Sequence, residues 1–482
     1  MHFRVVIRFN AILILFLGLF MAVPLVVSLA YRDGSSRAFA FSMAITFLVG
    51  LVLFLFTRSR QENVLNHRDG VAIVTLGWIM AGLFGMLPYI ASGSIPDFTN
   101  AYFESLSGFT TTGASILTDI ESLPKGVLLW RSLTQWIGGM GIIVLSIAIL
   151  PFLGVGGMQL YRAETPSPVV DKLKPRISDT AKILWKVYLA ITIVQVIFLL
   201  GGGMSVFDAF CHAFCTLPTG GFSTKNASVL AYNSAYLDTV IIVFMLLAGI
   251  NFSLHYKMLK GDRKIFGRDE ECRVFLVVVA VFTLLITLDT YGGVYTSFFH
   301  AFRQAAFQVS SIITTTGFVS ADYEKWPAFS QIILLSCMFF GAMAGSTGGG
   351  MKFMRIILLI KHGYQQIIRI IHPHAVTSVK LGGRAVPTEV LNGIWGFFIL
   401  YLCLFLIATL VMAALGLDFV SSIGAVASSL GNVGPGLGIV GPERNYLGVP
   451  LAGKWVLVAC MLIGRLEIYT VIVLLTPEFW KK

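Results

Sequence analysis

The sequence predicts an all-α polytopic membrane protein, with four helix, re-entrant pore helix, helix repeats around one pore and two further transmembrane helices before them. Three observations support this fold class. The 482 residues are 56% hydrophobic and only 12% charged, which is more apolar surface than a soluble core can hide. Ten apolar stretches reach roughly 20 residues, the length of a helix that crosses a bilayer. A glycine-containing segment recurs four times between these stretches.

The ten apolar stretches define the predicted organisation of the chain. The first follows Arg4 and Arg8, as in a signal peptide, but its apolar run is too long and a second stretch follows closely, so we predict that it is retained. The stretches lie near residues 6–29, 38–57, 71–93, 129–150, 183–203, 236–256, 274–291, 328–360, 391–415 and 452–475. We therefore predict two N-terminal helices over 1–69 and four repeats over 70–162, 163–262, 263–384 and 385–482.

The net charge of +11 would favour a nucleic-acid partner in a soluble protein. Here the basic residues collect in alternate connections, which the positive-inside rule places in the cytoplasm. We therefore predict cytoplasmic termini, outward-facing glycine segments, contact with membrane lipid and no nucleic-acid partner. The basic residues of the predicted inner segments are Arg58, Arg60, Arg68, Arg162, Lys172, Lys174, Arg176, Lys257, Lys260, Arg263, Lys264, Arg268, Lys361, Arg369, Lys380, Arg384, Lys481 and Lys482.

The four recurring segments are Thr111-Thr112-Gly113, Pro218-Thr219-Gly220, Thr315-Thr316-Gly317 and Asn432-Val433-Gly434. Glycine adopts positive φ without steric cost, while Thr and Val favour extended backbone. Non-helical backbone at membrane depth must be buried in protein or line a water-filled cavity. One such segment alone could be a tight turn that caps a re-entrant helix. Four in register predict rings of carbonyl oxygens around one axis, which can replace the water around a K⁺ ion.

A short amphipathic stretch precedes each segment and is too short to span a bilayer, so it is predicted to enter the membrane and turn back. The C-terminal end of such a helix carries partial negative charge and would favour a cation at the glycines. Expected N-caps are Thr99, Ser205, Ser297 and Asp418. A further glycine recurs in each returning helix, at Gly139, Gly249, Gly345 and Gly464.

Taken together, the four segments resemble the filter segments of the Trk/Ktr/HKT superfamily of K⁺ transporters, and the bacterial TrkH type most closely. The resemblance covers the whole chain. In that superfamily, glycine at all four filter positions accompanies a preference for K⁺. The resemblance therefore implies that the filter residues bind K⁺ and Rb⁺ in preference to Na⁺, without a covalent cofactor. Weaker discrimination than in K⁺ channels is expected, because the residues after the glycines differ from theirs: Ala114, Gly221, Phe318 and Pro435.

The same resemblance implies an assembly and a location. It implies a homodimer with one pore in each protomer, and a cytosolic ring of nucleotide-binding regulatory subunits of the TrkA type. It also implies the bacterial inner membrane. The basic inner connections would be the docking surface for the ring.

The third returning helix contains the string Gly345-Ser346-Thr347-Gly348-Gly349-Gly350-Met351-Lys352. Each glycine costs about 1 kcal/mol relative to alanine in a helix, so we predict that the helix is broken here. The string is similar to a phosphate-binding loop, but no Ser or Thr follows Lys352, and nucleotide binding is not expected. Members of the resembling superfamily have an intramembrane loop at this point, which implies a gate across the pore. A kink that only accommodates packing is the alternative.

Arg465 and Glu467 lie well inside the last apolar stretch, where an ionisable group is costly unless it is paired or hydrated. Arg465 follows Gly464, so we expect it near the axis below the glycine segments. There it would either repel permeating cations or bond to carbonyls of the broken loop. A structural ion pair with a carboxylate of another repeat is the alternative.

With the resemblance, these predictions describe potassium uptake by channel-like permeation through a four-segment filter, gated by the loop and by the cytosolic ring. The alternative is a K⁺/H⁺ or K⁺/Na⁺ symporter with alternating access, because secondary transporters also contain broken helices. An enzyme is not expected, since no nucleophile motif is found and the six cysteines lack paired metal-ligand spacing.

Overall fold

The computed structural model describes residues 1–57, 66–148, 177–374 and 377–481. Within these ranges the regular structure is α-helical apart from 3-10 turns at Ser228–Tyr232, Tyr323–Lys325 and Gly438–Val440, one hairpin that pairs Lys380–Leu381 with Arg384–Ala385, and an isolated bridge between Tyr291 and Tyr295. The predicted all-α class is confirmed. The α-helices are Phe3–Phe20, Ala22–Tyr31, Ser36–Phe56, His67–Gly85, Leu87–Ala91, Phe98–Phe109, Lys125–Ala148, Ile177–Gly201, Val206–Thr216, Ala235–Gly249, Phe252–Leu259, Ile265–Arg268, Glu270–Thr290, Phe298–Ile313, Ala328–Phe340, Phe353–Ile371, Thr388–Ala414, Phe419–Gly431, Leu451–Leu466, Ile468–Leu475 and Pro477–Trp480.

Part of the predicted organisation lies outside the described residues. This applies to the boundary at 162 and 163 between the first two repeats and to the end of the stretch 129–150. It also applies to seven of the basic residues assigned to inner segments: Arg58, Arg60, Arg162, Lys172, Lys174, Arg176 and Lys482.

Several helices expose apolar side chains along lengths that match a bilayer. In the described part of the chain, six spans are long and apolar enough to cross a membrane, and two bent helix pairs raise the number to eight if each pair counts as one span. Exposed side chains such as Phe56 and Ile197 lie on these helices, as expected of apolar surfaces that face lipid. The six spans are Phe3–Tyr31, Ser36–Phe56, Arg68–Ala91, Lys182–Gly201, Glu270–Thr290 and Thr388–Ala414.

The prediction of a continuous helix over 236–256 is wrong. Ala235–Gly249 and Phe252–Leu259 meet at an angle of 101°. The side chain of Asn251 accepts a hydrogen bond from the amide of Ser253 at 2.8 Å, so Asn251 caps a new helix instead of continuing the old one.

The prediction of a continuous helix over 452–475 is also wrong. Leu451–Leu466 and Ile468–Leu475 meet at 119°. The break falls on Glu467, whose φ of 62° is outside the helical region. The break predicted in the third returning helix is confirmed, because the helix that begins at Ala328 ends at Phe340 and the next begins at Phe353.

Four short helices of 12, 11, 16 and 13 residues precede the glycine segments, as predicted. Ser205 and Asp418 cap the second and fourth by accepting hydrogen bonds from main-chain amides. Ser297 stands at the N-cap of the third without a side-chain bond. The prediction of Thr99 is wrong: Asp97 caps the first helix by accepting from the amide of Asn100 at 2.8 Å. Asp and Thr are both favourable N-cap residues, and Asp97 and Thr99 lie only two positions apart, so the residue type alone did not identify the cap.

The core lies where the short helices meet the returning helices. Trp130 is fully buried there, and its indole donates to the carbonyl of Gly85 at 2.9 Å. Glycines in the returning helices allow these helices to approach the ends of the short helices closely. A Cβ atom added to Gly139 would lie 2.3 Å from Pro218, and one added to Gly464 would lie 2.1 Å from the carbonyl oxygen of Leu430. The returning helices therefore pack directly against the ends of the short helices.

Candidate functional site

The four glycine segments share one backbone conformation. In each, a residue with φ between 51° and 59° is followed two positions later by a glycine with φ between 75° and 103°. The segments in this register, called ring segments below, are Thr111-Thr112-Gly113, Thr219-Gly220-Gly221, Thr315-Thr316-Gly317 and Asn432-Val433-Gly434. The predicted register of the second segment, Pro218-Thr219-Gly220, is therefore wrong by one residue.

The conformation is a helix C-cap of the Schellman type. In every case the amide of the middle residue donates to a carbonyl five residues earlier, near the end of the short helix. The donor and acceptor pairs, at 2.8 to 2.9 Å, are Thr112 with Ser107, Gly220 with Cys215, Thr316 with Ser311, and Val433 with Ser428. Such a cap favours Gly or Asn at its left-handed position, yet three ring segments have Thr there. A β-branched residue in this region costs about 1–3 kcal/mol, and strain of that kind concentrates at functional sites.

The four ring segments form a closed circle of main chain. Each glycine faces a carbonyl of the next segment, and the fourth segment returns to the first. A Cβ atom built on each glycine would lie only 2.0 to 2.7 Å from the carbonyl oxygen that the glycine faces. The glycines and the residues that carry these oxygens are Gly113 and Gly220, Gly221 and Thr316, Gly317 and Val433, and Gly434 and Thr112. Because real Cβ atoms do not approach so closely, glycine is required at all four positions.

Side chains from outside the segments hold the ring in place. The amide group of Gln135 donates to the carbonyl of Gly220 at 2.6 Å and accepts from the amide of Phe222 at 3.1 Å. On the opposite part of the ring, the hydroxyl of Tyr446 donates to the carbonyl of Gly434 at 2.6 Å. Sequence reasoning missed Gln135 and Tyr446, because neither belongs to a local motif that would mark it as a support of the ring.

A buried ion pair joins the first and second ring segments, and sequence reasoning missed it as well. Arg131 and Glu104 are 2.9 Å apart, with side chains 1% and 0% exposed. Glu104 accepts from the amide of Ile116 at 2.9 Å, and Arg131 donates to the carbonyl of Ser223 at 3.2 Å. The guanidinium lies 4.1 Å from the ring centre of Phe222. The pair therefore fixes the chain just beyond both glycines.

An exposed pair stands near the same two segments. Lys225 lies 3.2 Å from Glu121, and the side-chain amide of Asn226 donates to the carboxylate of Asp119 at 3.1 Å. That hydrogen bond lowers the pKa of Asp119 below its usual value, so its carboxylate stays ionised at neutral pH. The ion pair of Lys225 and Glu121 is the solvent-exposed counterpart of the buried pair of Arg131 and Glu104.

Residues 341–352 form an irregular loop between the two halves of the third returning helix. Gly341, Gly345 and Gly350 have φ between 70° and 75°, and Lys352 has φ 68°. Gly345 is therefore not helical, and its predicted equivalence with Gly139, Gly249 and Gly464 is wrong. Glycine is needed there because a Cβ atom would lie 2.8 Å from Asn251 at the bend of the second repeat.

The loop lies directly against three of the four ring segments. The amide of Gly349 donates to the hydroxyl oxygen of Thr315 at 2.7 Å. The hydroxyl of Thr347 donates to the carbonyl of Leu217 at 2.7 Å, just before the second segment. A Cβ atom on Gly349 would lie 2.6 Å from the carbonyl of Gly431, just before the fourth.

Charged side chains hold the loop from the other side. Arg465 is buried and donates to the carbonyl of Thr347 at 2.8 Å, while Lys352 donates to the carbonyl of Gly348. Of the arrangements considered for Arg465, the structure has the bond to the broken loop. The carboxylate of Glu467 instead pairs with Arg355, whose guanidinium stacks 4.0 Å from the ring centre of Phe397. Ser346 and Gly348 complete the loop, with the Ser346 hydroxyl donating to the carbonyl of Met343 at 2.6 Å.

Comparison with known proteins identifies the family. The family model described as TrkH, cation transport protein, matches residues 34–482. The Trk system potassium uptake protein TrkH of Escherichia coli K12 is 44% identical over 487 residues, with 100% of both chains covered. The TrkH of Vibrio parahaemolyticus is 43% identical with the same coverage.

A solved structure confirms the fold. The crystal structure of the potassium transporter TrkH from Vibrio parahaemolyticus matches with a TM-score of 0.90 and 39% identity, and covers 100% of each chain. The relatives are transporters and not enzymes. The chain belongs to the TrkH family of multi-pass membrane cation transport proteins.

Proposed function

We propose that this chain takes up K⁺ across the bacterial inner membrane by channel-like permeation through the ring segments, with Rb⁺ as a substitute. The observation that carries the proposal is the closed ring, in which glycine at four equivalent positions brings main-chain carbonyls together. The relatives named for potassium uptake support the choice of ion. Flux is then driven by the electrochemical gradient, with both termini in the cytoplasm.

The chemistry of the ring favours a large monovalent cation. Its oxygens are neutral carbonyls and hydroxyls, which can replace a hydration shell without holding the ion too tightly to leave. Four short helices direct their C-terminal ends at the ring, and each contributes partial negative charge. K⁺ would be bound by residues 111–113, 219–221, 315–317 and 432–434, with no covalent cofactor. A divalent ion would favour carboxylates, and these segments contain none.

Electrical recording from reconstituted protein tests the proposal. In planar bilayers with a K⁺ gradient, we expect unitary currents that reverse near the K⁺ equilibrium potential and that Rb⁺ also carries. Replacing K⁺ with Na⁺ on one side should shift the reversal potential. Coupled transport with no unitary current would contradict channel-like permeation.

A symporter with alternating access is the second candidate, and one observation favours it. The two bends of 101° and 119° break helices near the ring, as helices are broken at substrate sites in secondary transporters. A reversal potential that moves with the H⁺ or Na⁺ gradient at constant K⁺ would favour this candidate.

The loop of residues 341–352 would act as the gate. It lies against three ring segments, and Arg465 and Lys352 place two positive charges behind it. A cation leaving the ring would meet both the main chain of the loop and this charge. Opening therefore requires the loop to leave Thr315 and Leu217.

Deletion of residues 346–350 should raise Rb⁺ flux in proteoliposomes. Arg465→Ala should do so as well, because it removes a charge-assisted hydrogen bond to Thr347 worth about 1.5–3 kcal/mol, equivalent to roughly a tenfold or greater gain in open fraction. Arg303→Ala is the control, since Arg303 pairs with Asp238 away from the loop. Lower flux at normal expression in both loop variants would count against a gate.

The homodimer and the TrkA-type cytosolic ring belong to the same proposal. Exposed basic residues on the connection after the second repeat, Lys260, Arg263, Lys264 and Arg268, would be part of the docking surface for the ring. A change of all four to Gln should weaken co-purification with the regulatory subunit and leave the unfolding temperature unchanged.

A further inference from the structure

Beyond the ring, a second closed circle of contacts joins the four repeats. The carbonyl two positions after each ring glycine, called a collar carbonyl below, accepts a hydrogen bond from the preceding repeat in cyclic order. The donors and the residues of the collar carbonyls, at 2.9 to 3.2 Å, are Arg131 with Ser223, Leu230 with Val319, Tyr323 with Gly436, and Tyr446 with Ser115. The chain beyond every ring glycine is therefore fixed by a neighbouring repeat.

One position in each short helix supports the same stretch of chain from within the repeat. It lies nine residues before the ring glycine and is occupied by Glu104, His212, Gln308 and Ala425. Glu104 and Gln308 bond to main-chain groups shortly beyond the first and third ring glycines. Ala425 has no polar side-chain atom to contribute. His212 is the member of this set whose side chain ordinarily changes charge near neutral pH.

The hydrogen bonds of His212 define its protonation state. The side chain is fully buried. Its Nδ1 lies 2.8 Å from the carbonyl oxygen of Asp208, which can only accept, so Nδ1 carries a hydrogen. Its Nε2 lies 3.0 Å from the hydroxyl of Ser223, whose oxygen already accepts from the amide of Lys225 at 3.1 Å. The hydroxyl therefore donates its hydrogen to Nε2, and both bonds fit a neutral ring.

The imidazole of His212 also reaches the third repeat. It stacks on Phe318 with ring centres 5.9 Å apart, and it meets the uncharged phenol of Tyr232 edge-on at 5.4 Å. Phe318 directly follows the third ring glycine and precedes Val319, which carries the collar carbonyl of that segment. His212 therefore joins the second and third ring segments just beyond their glycines.

We propose that neutral His212 is a positioning residue for ion selection, which holds the second and third ring segments at the spacing that favours K⁺, and that a proton on its ring releases them. This inference rests on the proposed function. A protonated Nε2 becomes a donor, so the hydroxyl of Ser223 can no longer donate to it and must turn away. The proton also adds a positive charge beside the ring, where burial leaves it little screened.

The charges around His212 set the direction of the effect. Asp208, on the same helix, favours a protonated ring, whereas Lys225 opposes it. Arg131 and Glu104 are close by but form a pair without net charge. Because charge at a fully buried site is costly, the ring is neutral at neutral pH and gains a proton on acidification. The proton and K⁺ then oppose each other reciprocally, as two coupled ligands do.

Two variants of His212 separate the contact from the charge. His212→Gln places an amide oxygen where it can accept from Ser223, but it cannot take up a proton. His212→Phe keeps an aromatic ring against Phe318 and loses both hydrogen bonds. His300→Gln is the control for removal of a titrating histidine, because His300 is exposed and contacts Gln304 on its own helix at 3.3 Å.

Uptake of Rb⁺ and of Na⁺ into proteoliposomes is measured at about pH 8 and about pH 5, the range in which histidine changes charge. The pH is equal on both sides, so no proton gradient drives transport. The ratio of Rb⁺ to Na⁺ uptake should fall at least about fivefold on acidification in the wild-type protein and in His300→Gln. His212→Gln should keep the higher ratio at both pH values. His212→Phe should have a ratio at least about fivefold lower at both.

The outcomes are distinct. A fall in His212→Gln equal to that of the wild-type protein, or no fall in the wild-type protein, would overturn the inference while the proposed function stands. Absence of K⁺ flux in the wild-type protein at both pH values would overturn the proposed function and the inference with it. If the His212 variants do not fold, Ser223→Ala tests the same contact from its other side. Its ratio at about pH 8 should be at least about fivefold below wild type, and an unchanged ratio would overturn the inference.

Discussion

Replacing Gly113 with serine is expected to remove most of the discrimination between K⁺ and Na⁺. Gly113 has φ 80°, which costs a serine about 1–3 kcal/mol, and the new Cβ atom would stand 2.1 Å from the carbonyl oxygen of Gly220. That oxygen cannot move freely, because Gln135 holds it at 2.6 Å. The first and second ring segments must therefore separate or rotate.

The expected result is a fall of at least about tenfold in the ratio of K⁺ to Na⁺ flux, equivalent to about 1.4 kcal/mol, measured by uptake into proteoliposomes. Gly93→Ser is the matched control. Gly93 has φ 72° with no other atom within 4 Å of a built Cβ, so it carries the backbone strain without the contact. An unchanged flux ratio in Gly113→Ser would mean that the ring does not select the ion.

Replacing Glu104 with glutamine is expected to destabilise the protein severely. The change leaves Arg131 charged, buried and without its carboxylate partner, and removing one partner of a buried ion pair costs about 3–5 kcal/mol. Whole domains are stable by only about 5–15 kcal/mol. The amide of Ile116 and the carbonyl of Ser223 would lose their fixed positions, so selectivity should fall as well.

Unfolding in detergent, followed by tryptophan fluorescence, measures the effect. Glu121→Gln is the control, because the exposed pair of Glu121 and Lys225 is worth about 0–1 kcal/mol. The double variant Glu104→Gln, Arg131→Met should recover part of the loss, since it no longer buries an unpaired charge. If Glu104→Gln and Glu121→Gln lower stability equally, the buried pair does not support the ring.

The four-repeat fold and most of the ring followed from the sequence because the underlying patterns are local. Apolar length predicts a span, and Gly317 or Gly434 between apolar stretches predicts a break in regular structure. The broken third helix followed from the density of glycine after Gly341. Each of these is a property of one short stretch of chain, so no knowledge of the tertiary structure is needed.

The second segment shows where local pattern is insufficient. Its sequence Pro218-Thr219-Gly220-Gly221 offers two glycines in succession, and either is compatible with a tight turn. The choice is made by the carbonyl of Cys215, which accepts from the amide of Gly220 at 2.8 Å. Thr219 then takes the left-handed cap position, and Gly221 takes the second position with positive φ, at 75°. Alignment with Thr316-Gly317-Phe318 would have indicated Gly221-Phe222.

The supports of the ring could not be predicted because they depend on contacts between helices and loops that no local pattern specifies. Glu104 and Arg131 are each unusual, as charged residues within apolar stretches, but their pairing depends on how two helices pack. Gln135 is a polar residue on a returning helix and has no local motif. The pairing of Glu467, at the bend, with Arg355 likewise joins residues of two repeats and has no local motif.

Crystals of the protein soaked in Rb⁺ would locate the permeant ion by its anomalous scattering. We expect peaks on the axis enclosed by residues 111–113, 219–221, 315–317 and 432–434, and their loss in Gly113→Ser. Rb⁺ bound only elsewhere, in protein that still transports it, would mean that the ring segments do not bind the permeating ion.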